Sequence, residues 1–523
     1  MSEHKSIFKS AAVISAMVVL SRITGFIRDV LIAGIFGTGP AAQAFFVAYR
    51  IPNMFRDLVG EGAANAAFVP VFCEYLVSKS RQQFQKLVTG LFLIVTLAAV
   101  VLTLIGMLLA SPLVKLIAPG FLADPEKLSL SIHLTRIIFP YLILAAISAF
   151  LMALSNSLKS FALPASSSAV FNVATIVLLV LCVRHAGSSA IYILGWSVLL
   201  SGLCQVLVQI PVFRHHRISF QKDAWTPQGL RQEGIGKVGR LIVPRLLGTS
   251  IYQLNLFVDT IFASLAFFVG DGAIAAIYYA NRIIQFPFGV IGLSLSNAAL
   301  PQMSQAASCH DMEKLNKAVA FCLRGLFIVM LPVMIGILVF AAPLVQVIFQ
   351  RGSFNAYSTS ITAVAVFFYG LGLLSYSGVR FLSHAFYALQ DTMTPVKTAG
   401  TALISTVLLS SLFVFVFRFR LAGLALASSL SASLNFYLLY RRLKVRTGFG
   451  MAIFEEAGIK VLAAAAGSVV LAFFVWQGRF SPQPSFIGLC LVILLAAVTY
   501  GALLWLLGVR EARELFQWLI KRK

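Results

Sequence analysis

Apolar residues run in blocks of about 20, separated by short polar breaks, along nearly the whole chain. About 20 residues of α-helix rise roughly 30 Å, the thickness of a bilayer's hydrocarbon core. Windows of about 19 residues, broken at charged or Gly/Pro clusters, predict about fourteen membrane-spanning helices. They cover about 9–36, 41–73, 87–110, 131–157, 164–183, 190–213, 238–268, 273–304, 318–349, 358–388, 396–417, 421–440, 457–477 and 486–508. Several exceed a straight crossing, which predicts tilt, kinks or protruding ends. The first run follows Lys5 and Lys9, as in a signal peptide, but Ser21 and Arg22 interrupt it and no small-residue cleavage site follows. It reads as a retained first helix.

Composition agrees with an all-α polytopic membrane protein. The chain has 523 residues, of which 59% are hydrophobic and 11% charged; a soluble domain carries roughly 25% charged residues. The net charge of +23 does not point to nucleic acid, because most Lys and Arg sit in the breaks between apolar runs. That is the mark of cytoplasmic loops. With an even number of spans and both termini cytoplasmic, roughly 24 of the 41 Lys and Arg fall inside and about 7 outside. Lys79 to Lys86, Arg214 to Arg240 and Arg441 to Arg446 are the basic inside segments; Arg418 to Arg420 is the exception. The six cysteines form no CxxC pair and have no His at ligand spacing, so neither disulfide nor metal is expected.

An internal repeat organises the chain. Ala66-Ala67 recurs as Ala298-Ala299, Tyr49-Arg50-Ile51 as Asn281-Arg282-Ile283, Asp29 as Asp259, Ala110 to Val114 as Ala341 to Val345, and Pro164 as Pro395, at an offset near 231 residues. The repeat predicts two pseudo-symmetric six-helix lobes with the same orientation in the membrane, the pattern of carriers that rock two halves about a central site. The expected divisions are an N-lobe at 1–216, a basic cytoplasmic connection at 217–240, a C-lobe at 241–446, and two added C-terminal helices with a basic tail at 447–523.

Charge inside the apolar runs carries the functional signal, since each basic residue at a helix centre costs about 2.5–3.5 kcal/mol on insertion scales. Arg136, Arg245, Arg324 and Lys460 lie near span ends, where long side chains reach the interface. The first two spans differ. Span one holds Arg22, Gly25, Arg28 and Asp29; Arg22 and Asp29 share a face and can pair, and Gly25 marks a potential bend. Span two holds Arg50, Pro52, Asn53, Arg56, Asp57 and Glu61, and Pro52 predicts a kink. Arg28/Asp29 and Arg56/Asp57 could be buried ion pairs, yet Arg22, Arg28, Arg50, Arg56, Arg245 and Arg282 outnumber Asp29, Asp57, Glu61 and Asp259. Guanidinium groups left over in a cavity call for an anion, and their planar fork suits phosphate or diphosphate. No nucleophile–base set or Walker lysine loop is present, so no enzymatic activity or direct use of ATP is expected, and His215-His216 reads as a solvated loop.

The stretches SRITGFIRD, AAQAFFVAYRIPNMFRDLVGEGAANAAFVPVF, YYANRIIQFPFGV and ALQDTMTPVK resemble the MurJ (MviN) lipid II flippases of the multidrug/oligosaccharidyl-lipid/polysaccharide exporter superfamily. The resemblance covers nearly the whole chain. It implies two six-helix lobes around a central cavity and a groove for the polyprenyl tail along the last two helices. It implies movement of lipid II, the undecaprenyl-diphosphate-linked peptidoglycan precursor, from inner to outer leaflet of the bacterial cytoplasmic membrane by alternating access. By motif position the family's substrate-binding arginines fall on Arg22, Arg28, Arg56 and Arg282, and its paired acid on Asp29; Arg50, Asn53, Glu61 and Gln285 would support the cavity. A sodium site described for some members would involve Asp259 and Asp391. Gln43, Asn281 and Gln285 stand where family members often carry acids, which makes the cavity more positive. The resemblance implies no cofactor, with Na+, H+ or the membrane potential as the driving force. Implied partners are lipid II, membrane lipids and cell-wall synthesis proteins. A cation-coupled multidrug exporter, or an exporter of another lipid-linked oligosaccharide, is the alternative within the superfamily.

Overall fold

The computed structural model describes residues 2–58, 64–182, 187–219, 221–226, 232–450, 455–481 and 484–509. All regular structure among them is helical. The chain divides into two units, Met1–Leu265 and Ala266–Lys523.

The first unit contains α1 (Ser2–Phe36), α2 (Pro40–Leu58), α3 (Ala64–Ser78), α4 (Arg81–Leu108), α5 (Ala110–Ile117), α6 (Pro125–Ile138), α7 (Tyr141–Ser157), α8 (Ala162–Cys182), α9 (Ala190–Leu207), α10 (Ile210–His215) and α11 (Glu233–Ser264). Lipid tails are as apolar as leucine, so helices associate here through close packing and interhelical hydrogen bonds rather than water exclusion. α1 lies along α8, α8 along α9, α2 along α6, and α3 and α4 against α7. Where α3, α4 and α7 meet, Phe150 takes Phe68 and Phe72 edge-on at 5.6 and 5.8 Å, and Phe72 meets Phe84 at 6.1 Å. Each such pair adds about 0.5–1.5 kcal/mol beyond burial. Where α9 passes α7, Gly202 gives Tyr141 room: a Cβ would lie 2.7 Å from its ring.

Arg81, Gln85 and Thr89 are four residues apart and form one polar stripe on α4. The segment after α10 docks on that stripe. Arg81 donates to the His216 carbonyl (3.0 Å), Gln85 to the Arg217 carbonyl (3.1 Å), and the Gln221 amide to Thr89 Oγ1 (3.0 Å). The start of α11 is fixed to α3: Lys237 contacts Glu74 at 2.7 Å and Glu233 at 3.0 Å, and the Gly234 amide donates to the Tyr75 hydroxyl. Hydrogen bonds donated to Glu74 and then Glu233 hold the Lys237 ammonium above its usual pKa range.

At the other end of α11, the Gly120 amide donates to Ser264 Oγ at 3.0 Å, and a Cβ on Gly120 would run into the Ser264 carbonyl. Gly120→Ala is expected to cost about 1–3 kcal/mol, the usual range for forced overpacking. Gly236→Ala, on α11 with open space around it, should instead add up to about 1 kcal/mol through helix propensity. Thermal unfolding of the two variants in detergent checks this; a Gly120→Ala variant that melts with the unaltered protein would mean that the turn can move away from α11.

The second unit contains α12 (Ala266–Val269), α13 (Ala273–Pro287), α14 (Leu293–Ser308), α15 (Met312–Val339), α16 (Ala341–Phe349), α17 (Ala356–Gly370), α18 (Leu373–Ala388), α19 (Met393–Ser411), α20 (Arg420–Thr447), α21 (Glu455–Val475) and α22 (Phe486–Leu506). α18 and α20 meet through small and polar residues. Ser375 and Ser433 share a hydrogen bond at 2.9 Å, and a Cβ on Gly378 would lie 2.5 Å from Phe436; Ser429 of α20 also donates to the Phe368 carbonyl on α17 at 2.6 Å. α21 and α22 pair and pack on α15 through Leu331, Val461, Ala464, Ala465 and Leu504.

Helix boundaries recur along the chain. α4 and α15 are each 28 residues long and begin at 81 and 312, while α8 and α19 begin at 162 and 393; both offsets are 231. Lys159 and Gln390, at the same spacing, both take left-handed φ (58° and 59°) just past α7 and α18. In each case the next amide donates back five residues, Ser160 to Ser155 and Asp391 to Phe386, closing the same C-terminal turn.

Ten helices among the described residues are long and apolar enough to cross a membrane, or eleven if the pair Ala356–Gly370 and Leu373–Ala388, bent by 46°, counts as one span. The fold is that of a multi-pass membrane protein. The other three expected spans fall on α1, on α2 with α3, and on α11. α2 brings Arg50 and Arg56, and α11 brings Gln253, Asn255 and Asp259, into stretches of membrane length.

Candidate functional site

The charged segment of α1 is built into the first unit by α8. Arg28 and Asp29 are 9% and 0% exposed. Arg28 holds Asp29 Oδ1 through Nε (3.0 Å) and Nη2 (2.8 Å), and its Nη1 donates to Asn172 Oδ1 on α8 (2.9 Å). Asn172 in turn donates to the Ser21 carbonyl at 3.0 Å. The pair is therefore buried and hydrogen-bonded, the condition under which a charge survives at low dielectric. Asp29 is held by its neighbour Arg28, where the shared face suggested Arg22. Arg22 is half-buried and forms no ion pair among the described residues.

Gly25 does not interrupt α1, which runs continuously from Ser2 to Phe36. Its role is spatial. A Cβ there would lie 3.1 Å from Asn172 Nδ2, so the missing side chain lets Asn172 approach α1 and reach the Ser21 carbonyl. α2 likewise continues through Pro52 to Leu58. Arg50, Asn53 and Arg56 recur every third residue on it, each half-buried. Glu61 lies outside the described residues, as does the side chain of Asp57.

In the second unit, Arg282 is half-buried on α13. Its guanidinium lies 4.9 Å from the centre of the Tyr278 ring, one turn earlier, and Nη2 donates to the Tyr278 hydroxyl at 2.8 Å. Such stacking fixes the planar fork at little entropic cost. Asn281 and Gln285 flank it, both half-buried.

The two acids singled out for cation coupling sit differently. Asp259 is buried on α11 in the first unit. Asp391, in the second unit, lies at the N-terminus of α19 and takes three donors: the Thr394 amide (2.9 Å), the Thr394 hydroxyl (2.8 Å) and Arg446 Nη1 (2.7 Å). Burial raises its pKa, but the Thr394 hydrogen bonds and the Arg446 charge outweigh that and hold the carboxyl below its ordinary value. Asp391 thus caps α19 and ties it to α20.

Comparison with known proteins places this arrangement. The family model described as lipid II flippase MurJ matches residues 32–494. The chain belongs to the MurJ family. The lipid II flippase MurJ of Burkholderia cenocepacia is 32% identical, over 97% of this chain and 98% of its own. The probable lipid II flippase MurJ of Haemophilus influenzae is 34% identical, over 95% and 99%. Among solved structures, a lipid II flippase MurJ in an inward closed conformation superposes with a TM-score of 0.77 at 23% identity, covering 96% of this chain and 99% of that one. An inward-facing multidrug resistance MATE family transporter gives 0.68 at 14% identity, over 84% and 98%. At those identities the structural likeness speaks for fold alone.

In this MurJ-family chain, sequence reasoning missed Asn172 and Tyr278, the residues that orient Arg28 and Arg282. Asn172 had a readable signal, as a lone amide inside the apolar run 164–183. Tyr278 opens the YYANRIIQFPFGV stretch, but an aromatic in a span is ordinary and nothing in the pattern marked it as the partner of Arg282.

Proposed function

We propose that this chain moves lipid II from the inner to the outer leaflet of the bacterial cytoplasmic membrane. The observation that carries the reading is the likeness, over nearly its full length, to chains named as lipid II flippases. The chemistry of its arginines suits that cargo. A diphosphate needs several guanidinium donors, and Arg22, Arg28, Arg56 and Arg282 lie in helices of membrane length, with Arg50, Asn53 and Gln285 beside them. Arg22 supports the reading best, since no described carboxylate pairs with it.

The architecture proposed for this action has fourteen spans, both termini cytoplasmic, and two pseudo-symmetric lobes alternating their access to a central cavity. The repeat draws the lobes at 1–216 and 241–446, joined at 217–240, with 447–523 added; the helix boundaries that recur 231 residues apart support it. An inside-negative potential favours outward movement of an anion by about 2.3 kcal/mol per charge per 100 mV, so it can drive export. Asp259 and Asp391 are the acids proposed for cation coupling.

The test is reconstitution in vesicles that hold lipid II in one leaflet. Protein-dependent appearance of lipid II in the other leaflet is expected, and a rate no greater than in empty vesicles would refute the proposal. The MATE-like fold favours one alternative, export of a cationic drug. Uptake of a cationic dye, with lipid II left in place, would establish that instead.

A further inference from the structure

The ends of α18, α19 and α20 border a basic recess that contains none of the arginines proposed to bind the substrate. α20 is 28 residues long. About 20 residues cross the hydrocarbon core, and counted from Leu421 they end at Tyr440. Arg441, Arg442 and Arg446 therefore stand in the headgroup layer. They line a cavity of about 360 Å3 together with Phe386, Leu438 and Val445. A second cavity of about 460 Å3 adjoins it, shares Arg446, and is lined by Ser304, Ser308, His310 and Gln390.

The charges of the recess do not cancel. Arg446 is engaged by Asp391, whereas Arg441 and Arg442 are exposed and form neither an ion pair nor a side-chain hydrogen bond among the described residues. Three guanidinium groups against one carboxylate leave the recess net positive. Val445 in its lining is 83% exposed, and Tyr437 and Tyr387, next in sequence to the lining residues Leu438 and Phe386, are 55% and 43% exposed. Tyrosines at this depth are the usual boundary between acyl chains and headgroups. Solvated lysines and arginines at a span end need neither a concave floor nor an exposed apolar lining residue.

We propose that this recess holds the phosphodiester headgroup of an anionic phospholipid. Arg441 and Arg442 donate to the phosphate oxygens, Arg446 lines the shared wall, and the acyl chains run past Leu438 toward the hydrocarbon core. The pairing of Asp391 with Arg446 then makes the bound lipid a brace across the start of α19 and the end of α20.

The experiment is a titration of the purified full-length protein in detergent with fluorescent phosphatidylglycerol, and in parallel with fluorescent phosphatidylcholine, read by anisotropy. Phosphatidylglycerol should saturate a site that phosphatidylcholine does not fill. Arg441→Gln with Arg442→Gln should weaken it about 30-fold, from the usual contribution of two basic residues near an anionic surface. Arg418→Gln with Arg420→Gln, at the opposite end of α20, should leave it unchanged. Equal binding of the two lipids by the unaltered protein would overturn the proposal, as would equal loss in the two double variants. Complete displacement of phosphatidylglycerol by excess inorganic phosphate would assign the recess to a soluble anion instead. The readout is binding, so failure here leaves the flipping proposal untouched.

Discussion

Asp29→Ala is expected to destabilise the first unit by about 3–5 kcal/mol, the cost of leaving one member of a buried ion pair without the other. Arg28 is almost fully enclosed, and two of its donors point at Asp29 Oδ1. Asn172 is a neutral acceptor and cannot replace the carboxylate. Arg28→Met combined with Asp29→Leu removes both charges and should recover most of that loss, since apolar replacement of a buried pair is often neutral or better. The double variant also separates two roles for Arg28. If Arg28 binds the diphosphate, the recovered protein will fold and fail to flip lipid II. If it only anchors α1 to α8, flipping returns with stability. Thermal unfolding in detergent, paired with the vesicle assay, reads both; an Asp29→Ala variant that melts with the unaltered protein would show that the pair is not held as described.

The second large effect is expected at Arg282, where folding should survive and transport should not. Its guanidinium stacks on Tyr278 one turn earlier in α13, and it is half-buried rather than enclosed. A charge-assisted hydrogen bond to a phosphate contributes about 1.5–3 kcal/mol. Arg282→Ala should therefore slow flipping by at least about tenfold. Arg282→Lys keeps the charge but loses the fork and the stacking, so it should recover only part of the rate. An unchanged rate in the alanine variant would remove Arg282 from the substrate path.

The spans were legible because a bilayer imposes a local rule. Every backbone amide must be satisfied within its own helix, and the helix must be long enough and apolar enough to cross. The Arg28/Asp29 pair was readable as one of two possibilities. Choosing between them required α8, because an arginine's commitment depends on what stands opposite it, and Asn172 is 144 residues away. Gly25 shows the same limit: a helical glycine reads as a bend, and it proved to be clearance for a neighbour. Asp391 read as an acid near a span and became a cap tied to Arg446, 55 residues on.

The sequence alone determined that this is a helical membrane protein with a repeated plan, more basic than acidic residues in its membrane-length helices, and motifs of the MurJ family. Those features are periodic or compositional, so neighbours along the chain suffice to write them. Tertiary structure alone decided which guanidinium groups are already engaged, which glycines are clearances, and that three arginines at the end of α20 line a recess. Each of those depends on atoms brought together from distant helices, and packing density, not local pattern, sets whether a charge meets a partner or stays open to a ligand.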